Sequence, residues 1–75
     1  HYDPSFMIGL EVHHTTLGIV GLGRIGKEVA QRARAFDMRI LYHNRRRDEA
    51  AERSLGVEYR TLDDLLSESD FVTLN

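Results

Sequence analysis

The sequence predicts an α/β fold with a doubly wound parallel sheet. Short apolar runs alternate with stretches of helical period, which is the order expected of repeated β–α–β units. The apolar runs are continuous, as in strands that are buried on both faces. A glycine-rich turn joins the first run directly to the first helical stretch. We therefore expect parallel strands that are connected by right-handed crossovers.

The first β–α unit follows a segment without a sustained period. We interpret residues 1–14 as a connecting segment, and residues 15–75 as the N-terminal part of an incomplete nucleotide-binding domain. Leu17–Val20 predicts a buried strand. The following helix is expected to end near Asp37. Its apolar residues recur at spacings of four, four and three and form one stripe: Ile25, Val29, Ala33 and Phe36.

The rest of the chain predicts two more helices and three more strands. The strands are expected at Arg39–His43, Val57–Tyr59 and Phe71–Leu74. Asp48 is the expected N-cap of a helix that ends before Gly56. Thr61 has an acidic residue three places later, which is typical of a capped helix start. That last helix is expected to bury Leu62, Leu65 and Leu66.

The composition excludes several classes of protein. Of the 75 residues, 41% are hydrophobic and 29% are charged, and the net charge is −2. These proportions argue against a disordered tail, a collagen-like repeat and a membrane protein. The absence of cysteine excludes a disulfide scaffold and a thiolate metal site within this stretch. We predict no metal site here, and we expect a cytoplasmic protein.

The glycine-rich turn is the strongest functional signal. It reads Gly21-Leu22-Gly23-Arg24-Ile25-Gly26, between an apolar strand and an amphipathic helix. In a partial Rossmann fold, such a turn lets the backbone approach a pyrophosphate and lets the helix pack closely on the sheet. The N–H groups and dipole of the helix attract the phosphates. The alternative is a tight turn without a ligand, which the flanking elements disfavour.

The end of the second predicted strand indicates which dinucleotide is bound. An acidic residue at this position binds the ribose hydroxyls of NAD, but here Asn44 is followed by three arginines. Guanidinium groups can hold the 2′-phosphate of NADP through paired hydrogen bonds. We predict that NADP(H) is preferred and that NAD(H) is possible. Arg45 is the main expected phosphate partner, Arg46 is the second and Arg47 is the least certain.

Two other interpretations of the arginine cluster remain. It could be a solvated basic turn in which Arg47 pairs with a carboxylate of the next helix. A nucleic-acid site is less favoured, because the chain is acidic overall and has no basic face interleaved with aromatic residues.

Three stretches together resemble the D-isomer-specific 2-hydroxyacid dehydrogenase family. These are Thr16–Gly26, Phe36–Arg46 and Leu62–Leu74. The lead-in from Asp3 to His13 also fits the segment where that family crosses into its cofactor domain. The arginine-rich strand end is similar to the glyoxylate/hydroxypyruvate reductase branch, many of whose members use NADPH. Two departures are Asp37, where the family commonly has glycine, and the pair His13-His14.

The resemblance implies a fragment of a two-domain protein of about 300 residues or more. It places the backbone around residues 22–25 and the side chain of Arg24 near the pyrophosphate, and residues 44–46 around the ribose. The family's catalytic arginine, acidic residue and histidine lie beyond the position that matches Asn75. A homodimer that pairs through this domain is also implied. We expect His1, His13, His14 and His43 to be structural or merely exposed.

The implied function is hydride transfer between NADP(H) and a small 2-oxo acid such as glyoxylate or hydroxypyruvate. A non-enzymatic NAD(P)-binding sensor that acts like a co-repressor is the alternative. A methyltransferase with a similar turn is disfavoured, because its ribose would require an acidic residue at position 44. We expect a nicotinamide dinucleotide and a small 2-oxo acid as partners, and neither nucleic acid nor membrane.

Overall fold

The structure, a computed structural model, describes residues 14–75 as a four-stranded parallel sheet with three helices. The predicted connecting segment falls, except for His14, outside the described residues. In chain order the elements are β1 (Thr16–Val20), α1 (Arg24–Arg34), β2 (Arg39–His43), α2 (Glu49–Leu55), β3 (Glu58–Tyr59), α3 (Leu62–Glu68) and β4 (Phe71–Leu74).

The strand order β3-β2-β1-β4 confirms the predicted parallel sheet. The chain builds outward from β1 through β2 to β3 and then crosses back, so that β4 pairs with the other edge of β1. The direction of winding therefore reverses between β1 and β4. In open α/β sheets, ligands bind outside the carboxyl ends of the strands at such a switch point.

The residues of β1 alternate between the two faces of the sheet. Leu17 and Ile19 are fully buried in one cluster with Val29 of α1. Gly18 faces the other way, where an added Cβ would lie 2.6 Å from the Leu65 side chain of α3. Helices thus cover both faces, which confirms the doubly wound arrangement.

The prediction that Ile25 belongs to the buried stripe of α1 is wrong. The buried residues of the helix are Gly26, Val29, Ala30 and Ala33, whereas Ile25 is 58% exposed. A helix turns by about 100° per residue, so the stripe that faces the sheet passes through Gly26 instead. Gly26 contacts the sheet closely, and Ile25 lies beside this contact.

Two of the three leucines that were expected to be buried by α3 are exposed. Leu65 is fully buried, whereas Leu62 and Leu66 are 42% and 52% exposed. From the helical repeat, both exposed residues lie about 60° to 100° to one side of Leu65. The helix meets the sheet along a narrow line above Gly18, so its broader apolar face is only partly covered.

The predicted helix ends are confirmed at three positions. The Asp48 carboxylate accepts the N–H of Ala51, and the Thr61 hydroxyl accepts the N–H of Asp64. Gly56 ends α2 in the left-handed conformation. The first helix ends earlier than expected, at Arg34, and a turn follows in which Asp37 is left-handed with φ 58°.

Candidate functional site

The glycine-rich turn leaves β1 through a sharp bend at Gly21. Its φ of 94° lies in the left-handed region, which a residue with a Cβ rarely adopts. The Gly21 N–H donates to the carbonyl oxygen of His43 at 3.0 Å, which ties the bend to the end of β2. A Cβ at Gly21 would also lie 2.7 Å from the carbonyl oxygen of Asn75. The bend therefore depends on glycine for both conformation and space.

Gly26 allows α1 to approach this bend. A Cβ there would lie 2.7 Å from the Gly21 carbonyl oxygen and 3.2 Å from the Ile19 side chain. The first of these atoms belongs to the backbone and cannot rotate away. Any larger residue at position 26 must therefore push the helix away from the turn.

The N-terminus of α1 suits an anion. Its N-cap, Gly23, offers no side chain to the N–H groups of the first turn, and that turn contains no acidic residue. These N–H groups have no partner within the helix and carry the positive end of its dipole. Space around Gly23 is open. The turn residues Gly21–Gly26, with Asn44 and Asn75, line an open cleft of about 600 Å³, which we call the turn cleft.

Residues 44–48, which we call the arginine loop, connect β2 to α2. The loop begins with a contact that the sequence does not reveal. The Asn44 side chain accepts the Leu22 N–H at 2.6 Å through Oδ1 and donates to the Leu22 carbonyl oxygen at 3.3 Å through Nδ2. Both functions of the amide are thus directed at one residue of the glycine-rich turn.

The loop ends in a second network, which centres on Tyr42. This side chain is fully buried, and its hydroxyl donates to Glu52 at 2.6 Å and accepts the Asp48 N–H at 2.7 Å. Asp48 also pairs with Lys27 of α1 at 3.1 Å. The bond from Ala51 N–H and the ion pair with Lys27 hold the pKa of Asp48 below its usual value. Together these contacts fix the point where the loop enters α2.

Arg47 belongs to the same network. Its guanidinium donates twice to the Glu52 carboxylate, at 2.8 Å and 3.1 Å, and lies 5.6 Å from the centre of the Tyr59 ring. Bonds from Arg47 and from Tyr42 lower the pKa of Glu52, while burial and the bond to Glu52 raise the pKa of Tyr42. The expected alternative, in which Arg47 pairs with a carboxylate, is thus confirmed for this arginine.

Arg45 and Arg46 differ from Arg47. Both are exposed, and neither forms a hydrogen bond or ion pair with another residue in the described range 14–75. They line an open cleft of about 920 Å³, which we call the arginine cleft. Its other lining residues are Val20, Gly21, His43 and Asn44. The cleft therefore joins two guanidinium groups to the turn without an intervening carboxylate among the described residues.

His43 and Arg24 are the remaining residues that the sequence singled out. The Nδ1 atom of His43 lies 2.9 Å from the Arg60 carbonyl oxygen. Arg24 is exposed at the start of α1.

Within residues 14–75, no group of three histidine or acidic side chains is placed to hold a metal ion. None of the helices in this part of the chain is long and apolar enough to cross a membrane.

Comparison with known proteins identifies this arrangement. The model of the D-isomer specific 2-hydroxyacid dehydrogenase NAD-binding domain matches residues 1–75. The chain belongs to this family. Its turn and clefts are thus part of a nucleotide-binding domain, as the resemblance implied.

Individual relatives agree with this assignment. The chain is 56% identical to a glyoxylate reductase of Thermococcus kodakarensis over 73 residues, which are 97% of this chain and 22% of that protein. The glyoxylate reductase structure from Paecilomyes thermophila superposes with a TM-score of 0.80 at 48% identity, over 88% of this chain and 20% of that one. The apo D-lactate dehydrogenase of Escherichia coli gives 0.81 at 36% identity, over 88% and 21%. The chain spans about a fifth of the length of these relatives.

Proposed function

We propose that the full-length protein is an oxidoreductase that transfers a hydride between NADP(H) and a small 2-oxo or 2-hydroxy acid, of the glyoxylate or hydroxypyruvate type. The described residues supply the part of the site that holds the cofactor's phosphates and adenosine ribose. The bound nicotinamide supplies the hydride chemistry. The observation that carries the cofactor preference is the pair Arg45 and Arg46, which have no side-chain partner and share a cleft with no carboxylate among residues 14–75.

The turn cleft supports the pyrophosphate part of this proposal. Open space around Gly23 lets a phosphate reach the backbone, and the first turn of α1 adds no negative charge. We assign the pyrophosphate to residues 21–26, with the Arg24 side chain as an added cation. Position 44 lies between this cleft and the next, where the adenosine ribose would be held.

The arginine cleft supports the preference for NADP(H). Arg45 and Arg46 make no competing contacts within the described residues, whereas the guanidinium of Arg47 is occupied by Glu52. A 2′-phosphate would therefore bind to Arg45 first and to Arg46 second, through charge-assisted hydrogen bonds. NAD(H) lacks this phosphate and would gain nothing from either side chain, although the turn would still bind its pyrophosphate.

The substrate class is proposed from the relatives. The relatives of this chain include proteins named glyoxylate reductase and D-lactate dehydrogenase, and both names specify a small 2-oxo or 2-hydroxy acid. The groups that would bind the acid and donate a proton belong to the family's catalytic set, which has no counterpart in residues 1–75. The homodimer and the cytoplasmic location remain predictions.

The test is a comparison of NADPH and NADH oxidation by the full-length protein, with glyoxylate and hydroxypyruvate as substrates. Replacing Arg45 with Ala should raise the KM for NADPH about tenfold to a hundredfold, because hydrogen bonds to charged groups contribute about 1.5–3 kcal/mol. The KM for NADH should change less than about twofold, because the lost contact is to the 2′-phosphate.

Arg53→Ala is the matched control. Arg53 is an exposed arginine of α2 outside both clefts, so its loss should leave both constants unchanged. An unchanged NADPH/NADH ratio in Arg45→Ala would contradict the cofactor assignment. Tight nucleotide binding without turnover of either acid would contradict the enzymatic part and favour the sensor.

A further inference from the structure

We infer that Asn44 is a positioning residue that joins the glycine-rich turn to the arginine loop, rather than a ligand of the ribose. This inference rests on the proposed binding of a dinucleotide across the two clefts. Its basis is the use of the whole Asn44 amide by one residue, since Oδ1 accepts the Leu22 N–H and Nδ2 donates to the Leu22 carbonyl oxygen.

Asn44 lies where the turn cleft and the arginine cleft meet, so its contact with Leu22 bears on both. Only Gly21 and Asn44 line both clefts among the described residues. Next to the amide contact, the Gly21 N–H donates to the backbone of His43. Two consecutive residues of the turn are thus bonded to two consecutive residues at the end of β2. This double attachment sets the distance between the pyrophosphate site and Arg45.

The chemistry of the contact favours a neutral amide over a carboxylate. Leu22 presents one donor and one acceptor, and an asparagine side chain matches both. A carboxylate at position 44 could accept the N–H but would place a negative oxygen against the Leu22 carbonyl oxygen. Two independent reasons therefore favour a neutral residue at position 44. One is the hydrogen bonding of the turn, and the other is the negative charge of a 2′-phosphate.

Hydrogen exchange tests the contact directly in the full-length protein. The Leu22 amide should be protected in the wild type, and Asn44→Ala should increase its exchange rate about tenfold, from the loss of two hydrogen bonds. Asn44→Asp retains an acceptor for this N–H and should preserve most of the protection. A wild-type Leu22 amide that exchanges as fast as a solvent-exposed amide would overturn the inference without any variant.

Inorganic pyrophosphate, which contains no ribose, distinguishes positioning from direct ribose contact. If Asn44 shapes the turn, Asn44→Ala should raise the inhibition constant of pyrophosphate against NADPH about tenfold. It should also raise the KM values for NADPH and NADH by similar factors, while kcat changes less than about twofold. Arg53→Ala, at an exposed position outside both clefts, is the matched control and should leave pyrophosphate inhibition unchanged.

The outcomes separate this inference from the proposed function. Unchanged pyrophosphate inhibition in Asn44→Ala, together with weaker binding of both dinucleotides, would identify Asn44 as a ribose ligand and overturn the inference alone. A wild-type protein that binds neither dinucleotide would overturn the proposed function, whatever the protection of the Leu22 amide.

Discussion

The glycine-rich turn and the arginine loop lie side by side at the carboxyl edge of the sheet but are built differently. The turn depends on backbone geometry, with a left-handed residue at Gly21 and a close approach at Gly26. The loop depends on side chains, with Asn44 at its start and Tyr42 and Glu52 at its end. A turn made of backbone suits the pyrophosphate that all such dinucleotides share. A loop made of side chains can distinguish between them.

The largest effect should come from a substitution in the glycine-rich turn, the region that depends on backbone geometry. Gly26→Ala places a Cβ 2.7 Å from the Gly21 carbonyl oxygen, which forces α1 away from the turn. We expect a loss of stability of about 1–3 kcal/mol from overpacking. The shift would also move the N–H groups of the first turn away from the proposed pyrophosphate. Because a hydrogen bond to a charged group contributes about 1.5–3 kcal/mol, the affinities for NADPH and NADH should both fall about tenfold to a hundredfold. Calorimetric titration and thermal melting of the full-length protein measure these changes.

Gly23→Ala is the matched variant for the turn. Apart from Gly23 and its two chain neighbours, no residue of the described part of the chain comes within 4 Å of the added methyl group, and the φ of −101° is open to alanine. Its melting temperature should therefore stay within a few degrees of the wild type, while affinity for both dinucleotides falls. Equal melting temperatures for the two variants would contradict the packing role of Gly26.

A smaller and more selective effect should follow from loosening the loop. Tyr42→Phe keeps the buried ring but removes the hydroxyl that holds Glu52 and the Asp48 N–H. Each lost bond contributes about 0.5–1.5 kcal/mol, and only part of this holds Arg45 and Arg46 in place. We expect the KM for NADPH to rise about threefold to tenfold, and the KM for NADH less than twofold.

Tyr59→Phe is the control for this variant, because no hydrogen bond joins the Tyr59 hydroxyl to any other residue among 14–75. It should leave both constants unchanged. Equal rises in the two KM values for Tyr42→Phe would show that the network supports the whole edge and not the loop alone.

A lower pH should weaken the network of Tyr42, Arg47 and Glu52. The pKa of Glu52 is lowered in the folded protein, so its ionised form contributes stability above the ordinary value of 4.5. This contribution is lost as the pH falls through the lower, folded-state pKa. Thermal melting between pH 6 and about pH 3 should therefore show a shallower decline for Glu52→Gln than for the wild type. Asp63→Asn, at an exposed position of α3, should retain the wild-type slope.

The smallest effect is expected far from both regions, at Asp37. This residue is left-handed with φ 58°, a conformation that favours glycine. Asp37→Gly should raise the free energy of unfolding by about 0.5 kcal/mol, and Asp37→Ala should lower it by about 1 kcal/mol. Thermal melting distinguishes the two signs, and binding of both dinucleotides should stay unchanged. A lower melting temperature for the glycine variant would contradict the assigned strain.

Sequence patterns predicted the features that depend on neighbours along the chain. Asp48 and Thr61 each bond an N–H three residues later, so their roles are visible in a short window. The parallel sheet followed from the repeated β–α units and the glycine-rich turn, whereas its strand order was not predicted. In contrast, the burial of Ile25 and Leu66 depends on which line of a helix meets the sheet. Periodicity alone does not locate that line, which passes through Gly26 in α1 and through Leu65 in α3.

The site was predicted in outline, and its supports were not. The sequence identified the turn and ranked Arg45 and Arg46 ahead of Arg47, but it did not identify the carboxylate that pairs with Arg47. That answer depends on Glu52, which lies five residues after Arg47 and outside the usual helical spacings. The Asn44 contact spans 22 residues and has no local signal. A buried tyrosine such as Tyr42 does require a polar partner, which was the one available indication of the network.

The central claim is that the arginine loop makes the site selective for the phosphorylated dinucleotide. Calorimetric titration of the full-length wild-type protein with NADPH and with NADH tests it most directly. We expect the dissociation constant for NADPH to be about tenfold or more below that for NADH, and the difference to shrink as salt screens the guanidinium groups. Equal dissociation constants, or tighter binding of NADH, would contradict the account.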